Sequence, residues 1–308
     1  MIDQLIEKIE KTGAPIVVGL DPNLCFIPKH IKEEAFECYG RTPKAVAEAF
    51  YRFNKEIIDE IYDIVPAVKP QIAMYEQYGY LGIEAYIKTV DYAKQKGLMV
   101  IGDIKRSDIA STAEAYANGH IGEIEIEGSR HTVFNHDAIT LNPYLGVDSI
   151  EPYIENCRKL DKGLFILVRT SNPNSGEFQN LDVGGEKLCE RVGRSVHQWG
   201  GVVIGKRGYS AIGAVVGATH PEDAKTLRKI MPNNFFLVPG YGAQGAKAED
   251  LKDYFNKDGL GAIVNSSRGI IAAYKDERYK NRFTEEAFAL ASREAAAEMK
   301  KDLEKVWR

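Results

Sequence analysis

The sequence predicts a single-domain (β/α)8 barrel, and three observations carry that prediction. Eight short β-branched runs recur along the 308 residues. Nearly all of them are apolar until their last residues, which marks strands buried on both faces of a parallel sheet. Amphipathic helical patterns lie between several of the runs. Eight strands alternating with helices over roughly 250 residues is the arithmetic of such a barrel. A doubly wound open sheet uses the same ingredients and is the alternative.

Taken in order, Met1 to Glu10 mixes Asp3, Glu7, Lys8 and Glu10 with apolar residues and reads as an amphipathic helix, not a signal peptide. The first strand is Ile16–Asp21, followed by a long connection, Pro22–Pro43. Val46, Phe50, Phe53, Ile57, Ile61 and Ile64 step by three or four and form one helical stripe. Strands are expected at Ala67–Ala73, Met99–Lys105, Ala138–Tyr144 and Leu164–Thr170, with a helix at Ile83 to Lys96. A second long connection, Ser171–Gly200, is rich in Gly and Asn. Strands at Gly213–Thr219, Phe235–Gly240 and Gly261–Ser267 follow, with a helix at Asp223 to Ile230. The chain closes on a helix over 284–306, striped by Phe288, Ala291, Ala295, Met299, Leu303 and Val306. Thr284 is its expected N-cap, with Glu285 and Glu286 in the dipole-favoured first turn. Both long connections follow strand C-termini, where barrel enzymes place active-site loops and lids.

Composition excludes several function classes. Lys plus Arg is 40 and Asp plus Glu is 44, so the formal charge of −4 offers no case for nucleic acid or an anionic membrane. No apolar run approaches the roughly 20 residues of a membrane span. Cys25, Cys38, Cys157 and Cys189 are scattered, as expected of reduced thiols in a cytoplasmic protein. The six histidines form no metal-binding pattern.

The informative feature is where charges fall. The first strand ends in Asp21, the second contains Lys69, and the third contains Asp103 and Lys105. Asp103 and Lys105 are two apart on a strand and so project from one face. In a barrel all four point toward one mouth, and Asp108 follows in the next loop. Unpaired charges are costly to bury, so an alternating Asp/Lys cluster holds an ammonium in a defined place. The chemical reading is a lysine general acid flanked by carboxylates. A Mg²⁺ site on Asp103 and Asp108 is the alternative, opposed by the lysines; an ion-pair network that merely fills the mouth is the structural one.

Near the C-terminus, Pro239-Gly240-Tyr241-Gly242-Ala243-Gln244-Gly245 contains G-x-G-x-x-G, but too late in the chain for a dinucleotide fold. Its glycines still allow backbone N–H groups close to a phosphate. After the eighth strand, Asn265-Ser266-Ser267-Arg268-Gly269 offers hydroxyls and an arginine fork. Loops seven and eight are where barrel enzymes commonly hold a phosphate. No redox cofactor motif is present, and no Ser or Cys nucleophile has an evident partner. A phosphorylated substrate undergoing proton transfer, Schiff-base formation or carbanion stabilisation fits these residues.

Gly102-Asp103-Ile104-Lys105-Arg106-Ser107-Asp108-Ile109 resembles the D-x-K-x-x-D signature of the orotidine 5′-phosphate decarboxylases. Ala110-Ser111-Thr112-Ala113-Glu114-Ala115-Tyr116 is similar to the longer bacterial subgroup of that family. The resemblance extends over Val18-Gly19-Leu20-Asp21-Pro22, Val68-Lys69-Pro70-Gln71, Thr140-Leu141-Asn142-Pro143-Tyr144, Thr170-Ser171-Asn172-Pro173 and both phosphate loops. It implies cofactor-free, metal-free decarboxylation of orotidine 5′-phosphate to uridine 5′-phosphate in pyrimidine synthesis, by a cytoplasmic homodimer. It also implies roles. Lys105 protonates C6, within an array of Lys69, Asp103, Lys105 and the second subunit's copy of Asp108. Asp21, Lys69 and Thr112, the last from the second subunit, hold ribose hydroxyls. Ser171 meets the pyrimidine edge, although Thr170 beside it also carries a hydroxyl, and Ile109 from the second subunit walls the base. Gln244, Arg268 and the Ser267 loop grip the phosphate, and Pro239 lines the pocket. Gln71 is expected near Lys69. The alternatives are a Mg²⁺-dependent sugar-phosphate decarboxylase or synthase of the same suprafamily, a Schiff-base aldolase, and a silent nucleotide-phosphate binder.

Overall fold

In the computed structural model, which describes residues 1–242 and 247–307, all eight expected runs form strands and close into one parallel barrel. The barrel strands are β1 (Ile16–Leu20), β2 (Ala67–Pro70), β3 (Met99–Arg106), β4 (Ala138–Leu141), β5 (Gly163–Arg169), β6 (Ser210–Val216), β7 (Asn234–Val238) and β8 (Ala262–Ser266). Their order around the barrel is their order along the chain, and β8 closes onto β1. A small antiparallel hairpin, Ile124–Ile126 with Ser129–His131, stands apart from the barrel.

Most strand residues are buried because helices cover the outer face and side chains fill the inner one. The apolar runs overshoot at the mouth. Asp21, Gln71 to Ala73 and Asn142 to Tyr144 lie beyond the strand ends. There the chain turns outward, and Tyr144 is almost fully exposed.

Nine longer helices are described: α1 (Ile2–Thr12), α2 (Lys29–Tyr39), α3 (Pro43–Ile61), α4 (Gly79–Gln95), α5 (Ala110–Ile121), α6 (Glu151–Leu160), α7 (Leu188–Gly200), α8 (Pro221–Ile230) and α9 (Phe288–Trp307). In α3, Pro43 opens the helix, and Thr42 accepts the Ala45 amide at 3.4 Å. Its stripe buries Phe50, Phe53, Ile57 and Ile61.

Three readings change. The Pro22–Pro43 connection contains α2. The Ser171–Gly200 connection is loop only to Lys187, apart from two short helical turns, and then becomes α7. The glycines that suggested a loop serve packing. Gly200 lies so close to Ser210 that a Cβ would come within 2.6 Å of its hydroxyl oxygen. The C-terminal helix starts at Phe288, not after Thr284. Thr284 closes a separate turn with the Ala287 amide at 3.1 Å, while Phe288 stacks on Phe53 with centroids 5.1 Å apart. Glu285 serves a different helix: its carboxylate accepts the Lys29 amide, at the start of α2, at 2.8 Å.

Among the described residues, no helix is long and apolar enough to cross a membrane. The four cysteines are free; Cys25 and Cys38 are exposed, and Cys157 and Cys189 are buried.

Candidate active site

The charged cluster forms at the mouth of strands β2 and β3. Lys69 donates from Nζ to Asp103 Oδ2 at 2.6 Å, and both side chains are buried. Lys105 donates to the other oxygen, Oδ1, at 2.5 Å, and is about half exposed. Thr140, on β4, also donates to Oδ1, at 2.9 Å. Asp103 is thus a carboxylate bracketed by two ammonium groups. Burial by itself raises its pKa, but the charges of Lys69 and Lys105 outweigh this and hold it well below the usual carboxylate range. Burial works against the Lys69 ammonium, yet Asp103 and then Asp21 keep its pKa above the ordinary lysine value. Both groups are therefore charged near neutral pH.

Asp103 and Lys105 meet as their spacing predicts, but not through simple alternation. Lys105 has a left-handed backbone, φ 46°, and the β3–β4 register shifts between Gly102 and Arg106. A non-glycine residue there is strained, and such strain concentrates at functional sites.

Asp21 directly follows β1, the strand between β8 and β2. Its Oδ1 is buried and has no hydrogen-bond partner among the described residues. A buried acceptor without a donor is suited to a ligand hydroxyl. Gln71 bridges to Asp103 through its backbone, which places it beside Lys69. Asp108 makes no ion pair among the described residues, and its carboxylate accepts the Ile109 amide at 2.8 Å. Ile109 is 57% exposed, and Thr112 is half-buried in the first turn of α5.

The segment after β5 is tied down by a clamp that sequence reasoning missed. Arg169 is buried and donates to Asp223 on α8 at 2.7 Å, and Lys187 reaches the other Asp223 oxygen at 2.6 Å. Burial pushes the Asp223 pKa up, but these two donors hold it below the ordinary value. Gln179 accepts the Thr170 amide at 2.9 Å and donates to the Thr170 hydroxyl, which donates in turn to Asn172 at 2.6 Å. The Thr170 hydroxyl is therefore engaged within the segment. Half-buried Ser171 has a hydroxyl with no partner among the described residues.

Loops seven and eight flank a cavity of about 960 Å³, lined by Gly242, Lys247, Ser266, Arg268 and Gly269 and backed by α9. Lys69, Asp103 and Lys105 do not line it. Asp302, on its wall, accepts the Tyr241 hydroxyl at 2.5 Å, and Glu298 accepts that of Tyr279. Arg268 is exposed and makes no ion pair among the described residues. Pro239 is half-buried, and Gln244 lies outside the described residues. Ser267 lies against β1. A Cβ on Gly19 would sit 1.8 Å from the Ser267 oxygen and 3.2 Å from its Cα. Gly19→Ala should therefore displace the Ser267–Arg268 turn, cost about 1–3 kcal/mol, and lower Tm. A thermal melt matching the wild type would contradict this packing.

Among the described residues, no group of three or more His, Cys, Asp or Glu side chains is arranged to hold a metal ion. Both Asp103 oxygens face ammonium groups, which disfavours cation binding there.

Comparison with known proteins identifies the family. The sequence profile of the orotidine 5′-phosphate decarboxylase / HUMPS family matches residues 15–281. An orotidine 5′-phosphate decarboxylase of Caldicellulosiruptor bescii is 46% identical over 274 residues, 89% of this chain and 90% of that protein. One from Petrotoga mobilis is 45% identical over 307 residues, 99% of this chain and 98% of that protein. The structure of Leishmania donovani OMP decarboxylase superposes with a TM-score of 0.73 at 29% identity, covering 99% of this chain and 97% of that one. By profile, by near-full-length identity and by fold, this chain belongs to the orotidine 5′-phosphate decarboxylase / HUMPS family.

Proposed function

We propose that this protein decarboxylates orotidine 5′-phosphate to uridine 5′-phosphate and CO2, without metal or organic cofactor, as a homodimer in cytoplasmic pyrimidine nucleotide synthesis. The observation that carries this reading is the Lys69–Asp103–Lys105 chain of charges. Its buried end is closed, while Lys105 is half exposed at the mouth. An ammonium has three N–H donors, and one of those on Lys105 is spent on Asp103.

The C6–carboxylate bond breaks, CO2 leaves, and the electron pair stays on C6. No π system absorbs it, so the protein must stabilise the carbanion electrostatically. The preorganised Lys105 ammonium does so and then transfers a proton to C6, forming the C–H bond of the product. Asp103 beside the departing carboxylate adds repulsion in the ground state, a contribution whose general importance is contested.

The rest of the substrate follows the polar groups left over. The orphaned Asp21 oxygen accepts a ribose hydroxyl, with Lys69 beside it. Ser171 takes the pyrimidine edge, because the Thr170 hydroxyl is already engaged. Arg268, Gln244 and the Ser267 turn bind the phosphate, with Pro239 lining the pocket. Asp108, exposed Ile109 and Thr112 point to a second subunit, whose site they complete.

Arg268→Ala should lower kcat/KM by about 10- to 150-fold, the value of a lost charge-assisted hydrogen bond. Gln244→Ala should lower it by less. Unchanged kcat/KM in both variants would remove the phosphate assignment. The function itself is tested by product analysis. The protein is incubated separately with orotidine 5′-phosphate and with a keto-sugar phosphate plus Mg²⁺, and products are followed by NMR. Uridine 5′-phosphate from the first and no reaction in the second is expected. The reverse pattern would overturn the proposal in favour of the sugar-phosphate branch.

A further inference from the structure

Between Gly102 and Arg106, strand β3 is longer than its partner. Gly102 pairs with Ile139 and Arg106 with Leu141, so Asp103, Ile104 and Lys105 together face Thr140 alone. One residue's backbone cannot serve three. The Ile104 and Lys105 amides go instead to the Thr140 hydroxyl oxygen, at 3.0 and 3.1 Å. The hydroxyl donates its own proton to Asp103 Oδ1 at 2.9 Å. A hydroxyl has two lone pairs and one proton, so this one is fully used and its direction is fixed. Thr140 is 1% exposed, and its hydroxyl has no bonding capacity left for a ligand.

We propose that Thr140 is a positioning residue: its hydroxyl closes the β3 bulge, holds Lys105 in its left-handed conformation, and aims the Asp103 carboxylate that in turn holds the Lys105 ammonium. It replaces the missing ladder acceptor and couples the backbone bulge to the charged cluster. Without it, the buried Ile104 amide and the part-buried Lys105 amide lose their acceptor, and Lys105 and Asp103 lose their common support. The catalytic consequence rests on the decarboxylase reading above; the structural one does not.

The test uses full-length Thr140→Val, which keeps the shape and removes the hydroxyl, and Thr140→Ser, which restores the hydroxyl. Thr140→Cys, a poor hydrogen-bonding replacement of similar size, stands in if the valine variant does not fold. Two quantities are read. The first is kcat and KM with orotidine 5′-phosphate. The valine variant should lose about 10- to 100-fold in kcat with KM little changed, because a misplaced catalytic group costs rate. The serine variant should recover most of the loss. The second needs no turnover: brief acetylation with acetic anhydride, quantified at Lys105 by mass spectrometry against exposed Lys11. Labelling at Lys105 should rise severalfold in the valine variant and return to the wild-type level in the serine variant. If the wild type does not turn over, but Lys105 labelling rises in the valine variant and returns in the serine variant, the functional reading fails and the positioning role stands. If the valine variant matches the wild type in both quantities, or serine rescues neither, the positioning role is overturned.

Discussion

Lys105→Ala is expected to abolish decarboxylation for practical purposes, with kcat lowered by at least about 10⁴-fold. General acid catalysis is worth about 10²–10⁴ and one preorganised electrostatic donor about 10²–10³. Lys105 would supply both to the same carbon. The substitution should spare the fold. Lys105 is half exposed, and Asp103 keeps Lys69 and Thr140 when it is gone. Steady-state kinetics beside a thermal melt checks both halves. A variant within tenfold of wild-type kcat would remove Lys105 from the chemical step.

Asp103→Ala should have the largest effect on stability. It leaves the Lys69 ammonium buried without its main counter-ion, and breaking a buried pair from one side costs about 3–5 kcal/mol. Domains are stable by only about 5–15 kcal/mol, so the urea midpoint should fall sharply. The double variant Lys69→Met, Asp103→Ala should recover much of this loss while remaining inactive, because the charge left alone is then gone. The pH dependence has a definite sign. The Asp103 pKa is depressed in the folded state, so its contribution is complete above the unfolded carboxylate value of about 3.9 and is lost as pH falls toward the lower native value. The Lys69 pKa is raised, so its contribution is complete below about 10.4 and is lost as pH rises through the native value. The difference between wild type and Asp103→Ala should therefore be widest between about pH 4 and 10 and shrink in acid. A pH-independent difference in urea midpoint would contradict the ion-pair account.

The barrel was legible because its signal is local. Each strand is a short apolar run, and the polar residues that stop it are those of the mouth. Lys69, Asp103 and Lys105 could be read as a cluster for the same reason. What was hidden depends on contacts distant in sequence or on small residues. Helix α5 buries Ala113, Ala117, His120 and Ile121, too few bulky groups to make a visible stripe. Helix α7 carries packing glycines that read as loop. Arg169 and Asp223 are 54 residues apart, so their clamp could not be seen in either segment. Thr140 belongs to the Thr140–Tyr144 motif, but its use depends on a register shift that leaves no mark in the residue pattern. The start of α9 was misplaced because Thr284 and Glu285 have the chemistry of a cap, and Glu285 uses it on another helix.

The central claim is that a metal-free lysine–carboxylate array carries out the decarboxylation. The most direct measurement is the loss of orotate ultraviolet absorbance when purified protein meets orotidine 5′-phosphate in excess chelator, with Lys105→Ala run alongside. Turnover that survives the chelator and collapses in the variant is the predicted result. Folded wild-type protein that shows no turnover in chelator, or a Lys105→Ala variant that keeps pace with it, would contradict the account.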